Sequence, residues 1–497
     1  MWFRHLHLRQ VQVYGSCGTL PTQPPIYLQK DQQMTTSSID IIPIPHLLHA
    51  SVRVPGSKSL TNRALLIAAL AEGTTRLTNA LFSDDSRYFA EALKTLGFEV
   101  HLDPPPLPSP PLTGGRQGGR GNEITVTGLG GRIPARKAEL YIGNAGTAAR
   151  FLSAFLTLGS GEYILDGDER MRERPIGDLV EALEQLGATM EPIVGKSPNH
   201  QSPNRQMISP PIKIVESGLP GGHASIAGDI SSQFLSALLM VAPYAQKPVT
   251  LTLSTELNSK PYVDMTIAVM QDFGVEVQRD GYQSFTVPLT HYIIPQRSGV
   301  DVLRDTYPIE SDASAASYFF AAPAILGGTV RVENISRRSK QGDMAFLDVL
   351  QQMGCVVTEG DDYIEVTGPA QLCGVDVDMR DIPDTAQTLA AIAPFASTPT
   401  RIRGIASARV KETDRVAAMC AELARLGVDV EEHPDGLTIQ PCENIRPATV
   451  QTYNDHRMAM AFALIGLRVP GVTIENPGCV SKTFPDYFHV LEQLRIT

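Results

Sequence analysis

The sequence predicts an α/β protein whose helices fill the interior and whose sheets lie outside, on three observations. A helix end followed by Gly and a short apolar strand recurs five times, as EALKTLGFEV ending at Val100, EALEQLGATM ending at Met190, AVMQDFGVEV ending at Val277, DVLQQMGCVV ending at Val357 and AELARLGVDV ending at Val430. A second family of short strands interleaves with the first in six copies, beginning near Gly73, Gly161, Lys247, Gly328, Thr398 and Gly471. The helices leading into this second family, such as ALLIAALA around Leu66, FLSALLMVA around Leu238 and AAIAPFA around Ile392, are apolar on nearly all faces, as buried helices are.

Each element follows from local chemistry. In the first family apolar residues fall at helical spacing, and the Gly after the last turn suits a left-handed cap before an alternating strand. Gly97, Gly187, Gly274, Gly354 and Gly427 are separated by 90, 87, 80 and 73 residues, the length of a whole supersecondary unit. Six units make two domains of three. A doubly wound sheet is the alternative that alternation also allows, but that fold buries near-continuous Val/Ile strands, whereas these are half polar. Two Pro- and Gly-rich segments, 104–121 and 195–211, interrupt the repeat and read as exposed loops without chemistry.

Composition narrows the function. A chain of 497 residues with 42% hydrophobic and 19% charged residues builds a real core and is not disordered as a whole. Its 42 Lys and Arg against 53 Asp and Glu leave a net charge of −11, which argues against nucleic acid and anionic membranes as partners. An anionic ligand therefore needs a local basic cluster. The six cysteines, Cys17, Cys355, Cys373, Cys420, Cys442 and Cys479, form no CxxC pair, so neither a zinc ribbon nor a dithiol motif is present, and a reducing, cytoplasmic setting is expected. No apolar run approaches the roughly 20 residues that cross a bilayer, and no signal-like apolar region opens the chain. The first 33 residues carry Arg4, Arg9 and Lys30 but no acid before Asp31, a composition shared with transit peptides. Met34, just ahead of the first patterned segment, favours an over-extended start or a disordered tail over residues 1–39.

Several short segments cluster charge against this background. In PGSKSLTNRALL, Ser57 and Ser59 flank Lys58 at a helix start with Arg63 a turn further on, so hydroxyls, free N–H groups and two cations converge as an anion site requires. The spacing is not that of a nucleotide-binding P-loop. GNAGTAARFL puts Gly143, Asn144, Gly146 and Thr147 ahead of a helix with Arg150 one turn in, where bare N–H groups can face a carboxylate or phosphate. RMRERPIG sets Arg170, Arg172 and Arg174 before Pro175, expected at a first helical position, and planar guanidinium forks suit the same anions. Ser231, Ser232 and Gln233 precede another apolar helix, and SKPY carries Ser259, Lys260 and Tyr262. Arg409, Lys411, Glu412, Asp414 and Arg415 crowd one helix start. Asp455, His456 and Arg457 abut a small-residue helix, where charge is costly unless paired or used. Asp384 lies in IPDTAQT and Lys482 in SKTFPDYF. Singly, each segment has an ordinary reading as a helix cap or a solvated charged face.

In series, PGSKSLTNRALL, GNAGTA, RMRERPIG, SSQFLSALLM, SKPY, KETDR, NDHRMAM and KTFPDYF resemble the 5-enolpyruvylshikimate-3-phosphate synthase family, from about Ile41 to the end of the chain. The resemblance implies two inside-out α/β barrel domains, each of three βαβαββ units, closing over substrates at a hinge. It implies an inserted domain at 56–308 and a second domain formed by 40–55 and 309–497. It further implies transfer of the enolpyruvyl group of phosphoenolpyruvate to the 5-hydroxyl of shikimate 3-phosphate, through a tetrahedral intermediate that releases phosphate. No cofactor or metal is implied, the partners are small molecules, and the chain is expected to act as a monomer.

By motif match, Lys58, Ser59, Arg63, Ser231, Ser232, Gln233, Ser259, Asp384 and Lys411 are expected to hold shikimate 3-phosphate. Lys58, Gly146, Arg174, Gln233, Arg415, Arg457 and Lys482 are expected to meet phosphoenolpyruvate. Asp384 is the expected base toward the 5-hydroxyl and Glu412 the expected proton donor to the methylene carbon, with Lys58 also catalytic and Asp85 and His456 in support. Two positions depart from the family's common pattern: Ser407 stands where Asn is frequent, and Phe151 follows Arg150 where Pro is frequent. The rivals are the enolpyruvyl transferase acting on UDP-N-acetylglucosamine, disfavoured because no Cys sits in a Gly- or Arg-rich loop, and a catalytically dead scaffold, disfavoured because the charged set is complete.

Overall fold

The computed structural model describes residues 37–103, 122–193, 208–295 and 305–495. The loop reading of 104–121 and of 195–207, and the tail reading of 1–36, lie outside the described residues. Ser38 and Ile39 depart from the tail reading. With Asp40 they form a strand antiparallel to Thr473–Glu475, Ile39 opposite Ile474, because this edge completes a sheet that would otherwise hold two short strands.

The recurrent helix end is built as its chemistry dictates. The helices Asp84–Thr95, Gly177–Gln185, Lys260–Asp272, Phe346–Gln352 and Arg415–Arg425 each run into a Gly in the left-handed region, with φ between 81° and 102°. The next N–H reaches back to the carbonyl five residues earlier at 2.9–3.0 Å: Phe98 to Leu93, Ala188 to Leu183, Val275 to Met270, Cys355 to Leu350 and Val428 to Leu423. This is the Schellman closure, and it turns the chain into the following strand five times with one geometry.

Among the described residues there are six sheets, five of four strands and one of three. In one unit the strand Lys137–Tyr141 is joined by the helix Gly146–Leu156 to the parallel strand Ser160–Asp166. The helix Gly177–Gln185 then leads to Met190–Pro192 and Ile212–Ser217; the latter closes antiparallel on the second strand and carries Met190–Pro192, also antiparallel, on its other side. A parallel pair needs such a crossover, and an antiparallel pair only a turn. The other four-stranded sheets repeat this order, so the chain consists of βαβαββ units.

The crossover helices are the interior. Lys58–Leu70, Gly146–Leu156 and Ser232–Val241 pack on one another, as do Ala313–Leu326, Ala386–Ile392 and His456–Gly466, with sheets around each trio. Two apolar clusters result, one drawn from Leu60 to Ile309, the other from Ile41 to Val54 and Ala313 to Leu494. The protein is thus two inside-out α/β barrels of three units each. The chain crosses between them twice. Leu48–Arg53 pairs in parallel with Gly328–Glu333, so the second barrel takes one strand from ahead of the first crossing, while Thr306–Pro308, just before the return crossing, pairs in parallel with Glu72–Thr78. The crossings are bonded together, Ser57 N–H to the Glu310 carbonyl and Asp312 N–H to that of Pro55, both at 2.8 Å. At Gly56 a Cβ would fall 1.8 Å from the Asn79 carbonyl oxygen, so no side chain fits there. Among the described residues no helix is long and apolar enough to cross a membrane.

Candidate active site

Helix starts carry the predicted motifs to one place. Ser57 caps Lys58–Leu70 by accepting from Leu60 N–H, and Ser231 caps Ser232–Val241 by accepting from Gln233 N–H. The helices Asp84–Thr95 and Gly146–Leu156 begin at the same end of the inserted lobe. Lys58, Asp85, Gly146, Thr147 and Gln233, each within two residues of a helix start, line one face of a cavity of about 300 Å³. Free N–H groups at helix starts favour anions. Arg174 joins this face, but Pro175 is not the first helical residue expected. Met171–Glu173 is a 3-10 turn and the helix starts at Gly177, because Arg172 pairs with Asp166 and Met171 N–H with Asp168, which bend the chain before it enters the helix.

The opposite face comes from the second lobe. Asp384 sits in the turn Pro383–Thr385, Lys411 and Glu412 precede the helix Arg415–Arg425, and Arg457 is second in His456–Gly466. The cavity lining carries five cations (Lys58, Arg174, Lys411, Arg415 and Arg457) against Asp85, Asp384 and Glu412, in a chain whose net charge is negative. Local positive charge is therefore concentrated where an anion would sit.

Arg415, 2% exposed, ties the carboxylates together: Nη1 to Asp384 at 3.0 Å, Nη2 to Glu412 at 2.8 Å and Nε to Asp455 at 2.8 Å. Arg457 Nη2 holds the other oxygen of Asp384 at 2.7 Å, and Lys482 Nζ the other oxygen of Glu412 at 2.9 Å. Burial pushes the Asp384 carboxyl up, but Arg457, Arg415, Lys411 and Lys58 together outweigh it and hold the group far below the usual carboxylate range. At Glu412, burial is likewise outweighed by Lys482, Arg415 and Arg174. Asp85 goes the other way, raised by burial against the pull of Lys482 and Lys58, and its oxygen lies 3.7 Å from Lys58 Nζ.

The two faces are bonded across the cleft. Lys482 Nζ donates to the Asn144 carbonyl at 2.8 Å, and Arg170 donates to the carbonyls of Lys411 and Glu412 at 2.9 and 3.1 Å. Arg174 Nη1 donates to the side-chain oxygen of Asn144 at 2.9 Å and lies over Gly146, where a Cβ would come within 2.3 Å of Nη2. A second cavity of about 280 Å³ shares Arg174, Gln233 and Lys411 and adds Arg150, Ser231 and Val410.

Not every expected site residue reaches a cavity. Arg63, 2% exposed, spends its donors on Thr266, Ser236 and the carbonyls of Ser59 and Tyr262, with its guanidinium 5.5 Å from the Phe151 ring. Phe151 itself is fully buried, and Ser407 is buried in the turn Ala406–Val410. Ser59 and Ser232 line neither cavity. Ser259, at φ 57°, bonds the Arg380 carbonyl across the lobes. His456 lies buried behind Asp455, both ring nitrogens without hydrogen-bond partners, and burial and Arg457 keep it neutral. Sequence reasoning missed Asp343 and Ser314, which stand behind Asp384. The polar run Gln341-Gly342-Asp343 ahead of an apolar helix has the same form as the motifs that were singled out.

A closed cleft with concentrated cations and two fixed carboxylates defines an acid–base enzyme for anionic small molecules. A family model described as EPSP synthase (3-phosphoshikimate 1-carboxyvinyltransferase) matches residues 42–491, and the chain belongs to that family. A 3-phosphoshikimate 1-carboxyvinyltransferase of Nostoc punctiforme is 49% identical over 453 residues, covering 90% of this chain and 98% of the relative. One of Sulfurovum sp. is 47% identical over 459 residues, covering 92% and 99%. The fold matches a solved EPSP synthase from Acinetobacter baumannii with a TM-score of 0.70 at 24% identity, over 92% of this chain and 98% of that one.

Proposed function

We propose that the protein transfers the enolpyruvyl group of phosphoenolpyruvate to the 5-hydroxyl of shikimate 3-phosphate, giving 5-enolpyruvylshikimate 3-phosphate and phosphate in the shikimate pathway. The observation that carries this reading, beside family membership, is the Asp384–Arg415–Glu412 bridge inside a cation-rich cleft. Asp384, ionised, takes the proton of the 5-hydroxyl as its oxygen attacks C2 of phosphoenolpyruvate, and Glu412 gives a proton to C3. The tetrahedral adduct then loses phosphate and a C3 proton.

Lys482, Arg415 and Arg174 hold Glu412 ionised, so it must gain proton affinity before it can act as the donor. Phosphoenolpyruvate supplies the means: its carboxylate and phosphate engage Arg415, Lys482 and Arg174, the cations that otherwise hold Glu412 down. Lys58, Gly146, Gln233 and Arg457 complete that site, while Lys58, Ser59, Arg63, Ser231, Ser232, Gln233, Ser259 and Lys411 are assigned to shikimate 3-phosphate. Lobe movement at the crossings lets residues 56–308 close on 40–55 with 309–497 and excludes water from the adduct. The five described cysteines are free thiols, in keeping with a reducing, cytoplasmic setting.

The test is phosphate release from phosphoenolpyruvate with shikimate 3-phosphate, beside UDP-N-acetylglucosamine. Release only with shikimate 3-phosphate is expected. Release only with the sugar nucleotide, or with neither, overturns the reading.

A further inference from the structure

Asp343 lies in the turn Gly342–Ala345, 6% exposed and outside both cavity linings. The Tyr262 hydroxyl, on the other lobe, stands 3.1 and 3.2 Å from its two oxygens and 3.3 Å from Oδ2 of Asp384. A phenol has one proton and serves one carboxylate at a time. Ser314 Oγ also donates to Asp343, which turns its lone pairs toward Arg457 Nη2 at 3.4 Å, and the same Nη2 holds Asp384 at 2.7 Å. Both hydroxyls behind the base are thus oriented by one buried carboxylate.

The platform is hydrogen-bonded to its own lobe and packed against the other. Gln341 accepts from Ala313 N–H at 3.1 Å and donates to the Ser311 carbonyl at 2.6 Å. At Gly342 a Cβ would fall 2.2 Å from that of Pro261, so the turn meets the Ser259–Tyr262 segment with no room between. Tyr262 reaches Asp343 only with the lobes together.

We propose that Asp343 is a positioning residue for the base Asp384: it draws the Tyr262 hydroxyl to itself, and so leaves Asp384 a free lone pair for the acceptor hydroxyl when the cleft is closed. Arg415 and Arg457 already occupy one site on each Asp384 oxygen, and a third donor would weaken the base further. The groups facing Asp343 are Tyr262 on Lys260–Asp272, Asp312 and Ser314 at the start of Ala313–Leu326, Asp384, and Arg457 on His456–Gly466. Burial and then the Asp384 charge push the Asp343 carboxyl up to about 6, against the pull of Arg457. Below that pH Asp343 is protonated and Tyr262 turns to Asp384.

The inference rests on Asp384 being the base, so Asp384→Asn is measured alongside. Asp343→Asn mimics the protonated state at every pH. At saturating substrates, whose own titration cancels in a ratio, wild-type kcat should exceed that of Asp343→Asn by about tenfold at pH 8 and approach it below pH 6. A ratio constant with pH, or near one throughout, overturns the proposal. Should Asp343→Asn not fold, Tyr262→Phe decides: the ratio of wild type to this variant should fall as pH is lowered, and a steady ratio overturns the proposal. Full turnover in Asp384→Asn would instead remove the base assignment itself. Lost turnover there with a flat Asp343 ratio would remove only this inference.

Discussion

The two faces of the cleft are charged in different ways. On the inserted lobe the groups act one by one: Lys58 has Asp85 at 3.7 Å, Arg174 leans on Asn144, and Gln233 offers a neutral amide. On the second lobe, Asp384, Glu412 and Asp455 are all bound to one buried Arg415. Cations that share no carboxylate through a direct ion pair suit the holding of anions, whose charge they can meet without breaking a common bridge. An interlocked set suits proton transfer, because a ligand that takes one cation changes the proton affinity of every carboxylate on it.

The largest effects should therefore come from the second face. Glu412→Gln and Asp384→Asn keep shape and hydrogen bonding but remove the proton traffic, and each should lower kcat by about 10²- to 10⁴-fold while substrate binding, measured by calorimetry, persists. Equal loss of binding and kcat would place these residues among the anion holders and erase the contrast.

On the inserted face, Arg174→Ala removes a charge-assisted bond of about 1.5–3 kcal/mol, so KM for phosphoenolpyruvate should rise by about ten- to a hundredfold with a smaller change in kcat. A purely kcat effect would move Arg174 to the chemical side. Between the faces, Arg170→Ala removes donors to the Lys411 and Glu412 carbonyls, and kcat and KM should change together by about five- to tenfold, as for a residue that seats one lobe on the other. The smallest effect falls outside the cleft. Gly354→Ala meets only ordinary contact, its nearest neighbour at 3.4 Å, but at φ 102° it should lose about 1 kcal/mol in urea unfolding with kinetics unchanged.

Local rules were legible. The left-handed caps at Gly97, Gly187, Gly274, Gly354 and Gly427 depend on chain chemistry within one turn, and sequence contains all of it. The buried helices were readable because residues such as Leu66, Leu238 and Ile392 leave no polar face. The charged motifs were readable as motifs, yet their meeting was not. Arg63 sits in the same helix start as Lys58, and only one of the two lines the cavity, because a residue one turn deeper points into the lobe interior. Pro175 does not open the helix, because Asp166 and Asp168 capture Arg172 and the Met171 N–H in a turn of their own, and which of these local pairings wins is not decided by residue type.

Sequence by itself determined the repeat, the caps, the apolar helices and the family, all set by residues within a few positions of one another or by their order along the chain. Tertiary structure alone decided that Leu48–Arg53 pairs with Gly328–Glu333, that Arg415 gathers three carboxylates, and that Asp343 stands behind Asp384. Those contacts join segments separated by up to nearly three hundred residues, and electrostatic coupling depends on distance in space and on exclusion of water, neither of which is written in local order.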